Sequence, residues 1–214
     1  MGTLNFAGGA SLSGNGTNLT TESNLDFGGS WTDAPIGTII KRGSYNTGYG
    51  VNARNTTTST SWITVNINGT AQAGMNIGKH SDDVITFSKI SNKSHLEIAV
   101  NFPYYVTTGA TGFGVRCQAS HNSGSSYHVL GNLANGPAHT WGSGGYGGND
   151  TGIYRYTWST YDKITERSAW LAKTGEVRIY FEMRTHNTDT IYLVDYNDTY
   201  PKEGTIQVSE IIAA

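Results

Sequence analysis

The stretch EGTIQVSEIIAA, Glu203 to Ala214, alternates apolar and polar residues in the way a half-buried β-strand does. Ile206 and Val208 fall on one face of such a strand. The phrase PIGTII, Pro35 to Ile40, repeats its Gly-Thr-Ile letters far upstream. If the two phrases are strands lying side by side, a domain opens at the first phrase and closes at the second.

This pairing predicts two domains, an extended attachment segment over residues 1–34 and a head domain over residues 35–214. The segment is rich in glycine and its apolar residues are isolated, so it cannot build a core of its own. We expect those apolar residues to anchor the segment to another protein or to other copies of the chain. The predicted anchor residues are Leu4, Phe6, Leu12, Leu19, Leu25, Phe27 and Trp31.

The head domain reads as one strand after another. In EVRIYFEMR, the residues Val177, Ile179 and Phe181 form an apolar face with charged and polar residues opposite, which indicates a half-buried antiparallel strand. Strand-like runs recur about every 8 to 20 residues with turn signals between them, a pattern typical of sandwiches and barrels. Because the first and last strands are predicted to be adjacent, we expect an all-β antiparallel jelly-roll sandwich.

Three details of the head follow from the same patterns. The residues predicted to share one core are Val177, Ile179, Phe181, Ile206 and Val208. Residues 62–67 alternate apolar and polar letters and are predicted to form one strand. Residues 164–173, ITERSAWLAK, fit either a short helix or a loop beside a strand.

The composition argues against several functional classes. Only 14% of the residues are charged, the net charge is -2, and there is no basic excess to neutralise phosphates, so nucleic acid is not an expected partner. No apolar run approaches ~18 residues, so no membrane insertion is expected. Cys117 is the one cysteine and lies in a strand pattern, which predicts a buried, inert thiol. The first residues lack the basic and apolar regions of a signal peptide, which predicts that the protein is made in a cytoplasm.

Four phrases resemble a module found in tailed phages of marine bacteria and cyanobacteria. They are APIGTII, TSTSWITVN, ITFSKISNKSHLEIAV and GTIQVSEIIAA, within residues 34–214. The third phrase is similar to an I-T-P-S-x-x-S-x-K-x-L-x-I motif over Ile85 to Ile98, with Phe87 where proline is common. The long loop NLANGPAHTWGSGGYGGNDTG departs from the module.

The resemblance implies a virion structural protein, made in the cytoplasm of a bacterial host. Its implied position is a tail or head fibre, a knob or a capsid decoration. Its implied fold is a jelly roll like that of tumour necrosis factor, which forms a homotrimer. The family has no catalytic set to carry over, so no enzyme activity and no cofactor are expected. The departures leave open the position in the virion and the ligand.

One aromatic and polar cluster lies outside the strand patterns, in the glycine-rich loop. Aromatic faces stack on the C–H faces of sugars, and amide and carboxylate groups pair with hydroxyls. The candidate glycan-binding residues are His139, Trp141, Tyr146, Asn149 and Asp150. The alternative is that the aromatic side chains turn inward and anchor the long loop.

The six histidines show no HxH, HExxH or CxxC-type spacing, so no metal site is predicted from a motif. His121 and His128 flank the letters NSGSSY and could meet across a hairpin. His139 could join them from the next loop, or a trimer axis could bring three copies of one histidine together.

The sequence therefore favours a phage virion protein. Residues 1–34 are expected to bind other virion proteins. A host surface glycan is a candidate ligand of the head, for host attachment. The rival readings are a stand-alone, lectin-like carbohydrate-binding module and a glycan-cleaving enzyme. The enzyme needs two carboxylates about 5 to 10 Å apart in a groove, which the sequence does not offer. The lectin reading makes residues 1–34 dispensable, whereas the virion reading predicts that contacts outside their own chain order them.

Overall fold

The computed structural model describes residues 2–5, 11–14, 34–47, 56–71, 77–106, 112–130, 140–143, 150–162, 166–185, 190–194 and 203–213. The chain divides into two units, Met1–Pro35 and Ile36–Ala214. In the first unit, strand β1 (Gly2–Asn5) pairs antiparallel with strand β2 (Ser11–Gly14). The pairing partner of β1 is thus a strand of the same segment.

The second unit is built almost entirely of strands. They are β3 (Ile39–Thr47), β4 (Thr56–Thr57), β5 (Ile63–Thr64), β6 (Gly69–Ala71), β7 (Ile77–Lys79), β8 (Ile85–Lys89), β9 (Ser94–Val106), β10 (Gly112–Ser120), β11 (His128–Val129), β12 (Thr140–Ser143), β13 (Asp150–Ser159), β14 (Gly175–Thr185), β15 (Ile191–Leu193) and β16 (Thr205–Ile212). A short helix, α1, spans Arg167–Ala172, which decides between the two alternatives for that stretch in favour of a helix. No helix in the described part of the chain has the length and apolar character needed to cross a membrane.

The strands form two antiparallel sheets, which pack as a jelly-roll β-sandwich. The first sheet has the order β13-β9-β16-β3-β6, and β15 and β4 continue it beside the far end of β9. The second sheet has the order β7-β8-β14-β10, with β11 and β12 both paired to β10 and β5 paired to β14. The chain alternates between the sheets as a jelly roll does, so the predicted fold class is confirmed.

The predicted pairing of the first and last strands of the head is also confirmed. Strand β16 lies between β3 and β9, with Ile206 opposite Tyr45 on one side and opposite Val100 on the other. Just before β3 begins, the Gly37 amide donates to the carbonyl of Ile212, the last residue of β16, at 2.9 Å. The last described strand is therefore central in its sheet.

The space between the sheets holds the apolar core. The five predicted core residues, Val177, Ile179, Phe181, Ile206 and Val208, are all fully buried in it. The ring of Phe181 meets Phe102 edge-on at 5.2 Å between centroids and Trp158 at 5.8 Å. Cys117 lies in the same core, where burial raises the pKa of its thiol well above the ordinary value, as expected for an inert thiol.

The prediction of a single strand over residues 62–67 is wrong. Strand β5 pairs with β14 in the second sheet, whereas β6 pairs with β3 in the first, so the chain crosses between the sheets over residues 65–68. The side chain of Asn66 accepts a hydrogen bond from the Asn68 amide at 2.8 Å, an Asx turn that bends the chain. Val65 and Ile67 are nevertheless fully buried. The alternating letters therefore reflect burial and not continuous pairing.

A buried carboxylate joins the end of the head domain to its middle. Glu210 on β16 is fully buried. Its carboxylate accepts hydrogen bonds from the backbone amides of Ile90 and Ser91, at 2.9 and 2.8 Å, and from the Ser94 hydroxyl at 2.5 Å. These bonds fix the turn between β8 and β9 against β16 and satisfy a charge that would otherwise be costly to bury.

Lys89, the last residue of β8, points inward and is 1% exposed. Its ammonium group donates to the backbone carbonyls of Ser91, Leu171 and Lys173, the last two at 3.0 and 2.8 Å. Two of these carbonyls lie at the C-terminal end of α1, where a cation is favourable. Burial lowers the pKa of Lys89 to about 8, and the charge of Glu210 acts in the opposite direction.

Truncating the central core ring tests the packing. Phe181→Ala removes a fully buried aromatic ring, so we expect the free energy of unfolding to fall by about 3 to 5 kcal/mol. Urea unfolding followed by circular dichroism measures this loss. Ile36→Ala is the control, because that side chain is 72% exposed and its loss should change stability by no more than about 0.5 kcal/mol. Equal losses in the two variants would contradict the assigned core.

The buried lysine predicts a pH dependence of stability. Because the pKa of Lys89 falls from 10.5 in the unfolded chain to about 8 in the folded chain, the folded state binds fewer protons between these values. The contribution of Lys89 to the free energy of unfolding should therefore rise with pH from about 8 to about 10.5. Lys89→Met lacks this contribution, and other titrating groups cancel when the two proteins are compared. Stability curves that stay parallel over this pH range would disprove the assignment.

Candidate functional site

Most residues that the sequence predicts as sites lie outside the described part of the chain, namely Phe6, Leu19, Leu25, Phe27, Trp31, His139, Tyr146 and Asn149. The backbone is described for four others. Leu4 of β1 lies opposite Leu12 of β2. Trp141 lies in β12 of the second sheet, and Asp150 begins β13 of the first. The anchor and glycan assignments stay predictions.

The structure does bring His121 and His128 together, as the sequence suggested. His121 follows β10 and His128 begins β11, and their rings stack with centroids 5.4 Å apart and planes 3° from parallel. The buried Trp170 of α1 meets the ring of His121 edge-on at 4.9 Å and that of His128 at 6.4 Å. The pair therefore sits between the β10–β11 loop and the helix.

The loop that carries the two histidines is held by its own polar side chains. The Ser120 hydroxyl accepts from the Gly124 amide at 2.9 Å and donates to the Asn122 side-chain oxygen at 2.7 Å. That oxygen also accepts from the Ser126 amide at 3.0 Å. Ser123 and Gly124 make the turn with φ of 60° and 87°, in the left-handed region. The ring positions are thus set by a hydrogen-bonded turn.

A carboxylate from a distant part of the chain completes the cluster. Glu166 is the residue before α1, but its side chain makes no capping hydrogen bond to the helix. Instead, its Oε2 atom lies 2.8 Å from Nδ1 of His128. This is an ion-pair distance without hydrogen-bond geometry, so the buried Oε2 has no hydrogen-bond donor among the described residues. Nitrogen and oxygen atoms of His121, His128 and Glu166 lie within 4.8 Å of one another.

The surroundings favour a neutral imidazole at His121. Burial lowers the pKa of His121, the neighbouring His128 lowers it further, and Glu166 acts in the opposite direction. A neutral imidazole keeps a nitrogen lone pair available. The cluster therefore offers electron-pair donors toward a common point.

The order Ser126, His128, Glu166 has the hydroxyl, imidazole and carboxylate of a nucleophilic triad. One distance and one missing hydrogen bond argue against that role. The Ser126 hydroxyl lies 3.3 Å from Nε2 of His128, beyond the usual reach of about 2.6 to 3.2 Å, and it accepts from the Asn122 amide group at 2.8 Å. The contact between His128 and Glu166 also lacks hydrogen-bond geometry. Two imidazoles and a carboxylate are better matched to a transition-metal cation.

Glu166 was not among the residues predicted from the sequence. It lies within the stretch 164–173 that fits a short helix, and no fixed spacing relates it to His128. The contact depends on where the helix packs, which is decided by the burial of Trp170.

A second aromatic and polar group covers the outer face of the second sheet. The ring of Trp62 lies between the guanidinium groups of Arg116 and Arg184, at 4.4 and 4.6 Å. Arg116 pairs with Glu182 at 2.5 Å, and the side chain of Gln118 also donates to Glu182. Because these side chains bond to one another, we interpret them as a structural layer on the outer face of the sheet.

No protein-family model matches the chain, and no curated protein matches its sequence. Among solved structures, the chain is similar to "Structure of Eiger TNF from S. frugiperda", with a TM-score of 0.37 and 8% identity over 83% of this chain and 96% of that chain. It is also similar to "PRD1 vertex protein P5", with a TM-score of 0.32 and 12% identity over 82% of this chain and 99% of that chain. TM-scores this low carry no argument about function.

Proposed function

We propose that this chain is a structural protein of a tailed-phage virion, in which residues 35–214 form a trimeric head and residues 1–34 attach it to the particle. The role is non-enzymatic. Its position would be a fibre, a knob or a capsid decoration of the kind found in cyanophages. A host surface glycan is the proposed ligand of the stretch that includes Trp141 on β12 and Tyr146.

One observation carries this proposal. Two of the phrases that resemble the phage module, residues 85–100 and 204–214, are joined through the carboxylate of Glu210. Lys89 and Ser94, both within the first phrase, are buried in the same polar network. The resemblance thus falls on residues that close the sandwich, as expected for a module defined by its architecture and not by a catalytic centre.

The outer face of the first sheet is the proposed contact between copies. Ile153 on β13 is 50% exposed there. Beside it, Arg155 donates to the Asn101 side chain at 3.2 Å, and Asn101 donates to the Thr205 hydroxyl at 3.0 Å, which gives a row of polar groups across three strands. An exposed isoleucine beside side chains that bond to one another suits an interface between identical chains.

A charge placed on that face should break the trimer. We expect the unmodified protein to have the mass of three chains in native mass spectrometry and Ile153→Arg to have the mass of one, because an arginine would be desolvated against its symmetry mates. Ile90→Arg is the matched control, since it places the same charge on an exposed isoleucine away from that face. A dilution-stable monomer in the unmodified protein, or an intact trimer in Ile153→Arg, would rule out this interface.

The attachment role of the first unit is tested by its removal. Ordering an extended segment costs roughly 1 to 2 kcal/mol per residue in backbone entropy, which its few apolar residues cannot offset without a partner. Deleting residues 2–31 should therefore leave a folded head that keeps its oligomeric mass but no longer joins purified particles in a sedimentation assay. The full chain serves as the control. A deletion variant that joins the particle at normal occupancy would place the attachment in the head.

A further inference from the structure

We propose that His121, His128 and Glu166 form a binding site for one divalent transition-metal ion per chain, of the zinc class. The site lies between the β10–β11 loop and α1, on residues for which the virion role above gives no function. It is independent of that role.

The atoms that would bind the ion are nearly in place. Zinc takes imidazole nitrogen and carboxylate oxygen at about 2.0 to 2.2 Å, so ligands of one tetrahedral ion lie about 3.3 to 3.5 Å apart. Nδ1 of His128 and Oε2 of Glu166 are 2.8 Å apart, and one ligand atom from each of the three residues lies within 4.8 Å of the others. Side-chain movements of about an ångström would bring these separations to the spacing of a tetrahedral site.

The carboxylate supplies a second and independent argument. Oε2 of Glu166 is buried, and the described part of the chain gives it no hydrogen-bond donor. A buried acceptor without a partner costs free energy, so an atom in this position calls for a cation or a proton. His128 presents Nδ1 to it without hydrogen-bond geometry, so a cation bound to both atoms would be the better partner for Oε2.

The groups around the ligands hold them in position. The second nitrogen of His128, Nε2, lies 3.3 Å from the Ser126 hydroxyl, and the Asn122 side chain donates to that hydroxyl at 2.8 Å. Metal-binding histidines typically have their other ring nitrogen held by a hydrogen bond, so the 3.3 Å contact would have to shorten on metal binding for Ser126 to hold the ring in this way. Trp170 closes the apolar side of both rings.

The role that follows is that of a structural clip. The three ligands come from the end of β10, the start of β11 and the residue before α1, so one ion would tie the hairpin to the helix. Three protein ligands also leave a coordination position for water.

The test is zinc binding by the full chain, prepared metal-free and without a polyhistidine tag. Isothermal titration with zinc chloride, and elemental analysis after gel filtration, should give one zinc per chain. His128→Ala and Glu166→Gln should lower this ratio to zero. His80→Ala is the matched control, because it removes an exposed histidine outside the cluster and should keep the ratio at one. Magnesium should not bind, because imidazole ligands do not suit it.

Two further measurements keep the test decisive where a ligand variant fails to fold. Ser126→Ala retains all three ligands, so it should keep one zinc per chain with an affinity weakened by about 10- to 100-fold. Cobalt(II) added to the unmodified protein should give the visible absorption of a tetrahedral site, and Glu166→Gln should lose it. The proposal is overturned by a folded wild type that binds no zinc, by unchanged binding in both ligand variants, or by one zinc per three chains, which would indicate a shared site on a symmetry axis.

Discussion

The buried carboxylate of Glu210 is the interaction on which the closure of the sandwich depends. It stands on β16, in the middle of the first sheet, and accepts hydrogen bonds from the turn that carries the chain from β8 in the second sheet to β9 in the first. A buried charge is tolerated where its hydrogen-bonding capacity is filled, and here two backbone amides and a hydroxyl fill it. The turn therefore has one favourable position relative to β16, and that position sets how the two sheets meet at this end.

Long-range pairing explains why such a constraint is needed. Strand β16 pairs with β3 and with β9, both far from it in sequence, so forming the centre of the first sheet requires closing long loops at a cost in entropy. Period-two burial alone specifies which residues face the core, but a shift of two residues preserves that pattern. The bonds from Glu210 to Ile90 and Ser91 do not survive such a shift. These hydrogen bonds therefore favour one register of β16, which apolar packing alone does not select.

The same distinction decides what could be predicted from the sequence. The apolar and polar alternation of β14 and the Gly-Thr-Ile letters shared by the first and last strands of the head domain predicted the fold. Both features can be read directly from the sequence. The crossing at residues 65–68 was predicted as a strand because Val65 and Ile67 are both buried there, although their backbone amides bond to different parts of the chain, Phe181 and Asp82. Lys89 lies on the same face as Ile85 and Phe87, yet its burial depends on carbonyls of Leu171 and Lys173 that no local pattern reveals. Two of the three residues of the histidine cluster, His121 and His128, were suggested by the sequence because they flank one hairpin, whereas Glu166 comes from a distant part of the chain.

Helix α1 shows how these distant contacts act together. A helix of six residues is not stable by itself in water, so its position must come from its surroundings. Trp170, in the middle of the helix, is buried, and the ammonium group of Lys89 donates to carbonyls at the C-terminal end of the helix. At the other end, Glu166 faces the histidine pair with an acceptor that no described donor fills. Two of the three attachments are thus complete within the described chain, and the third has the charge and geometry to be completed by an ion. Because Trp170 already joins the helix to the core, filling that position would strengthen the attachment at the other end of α1.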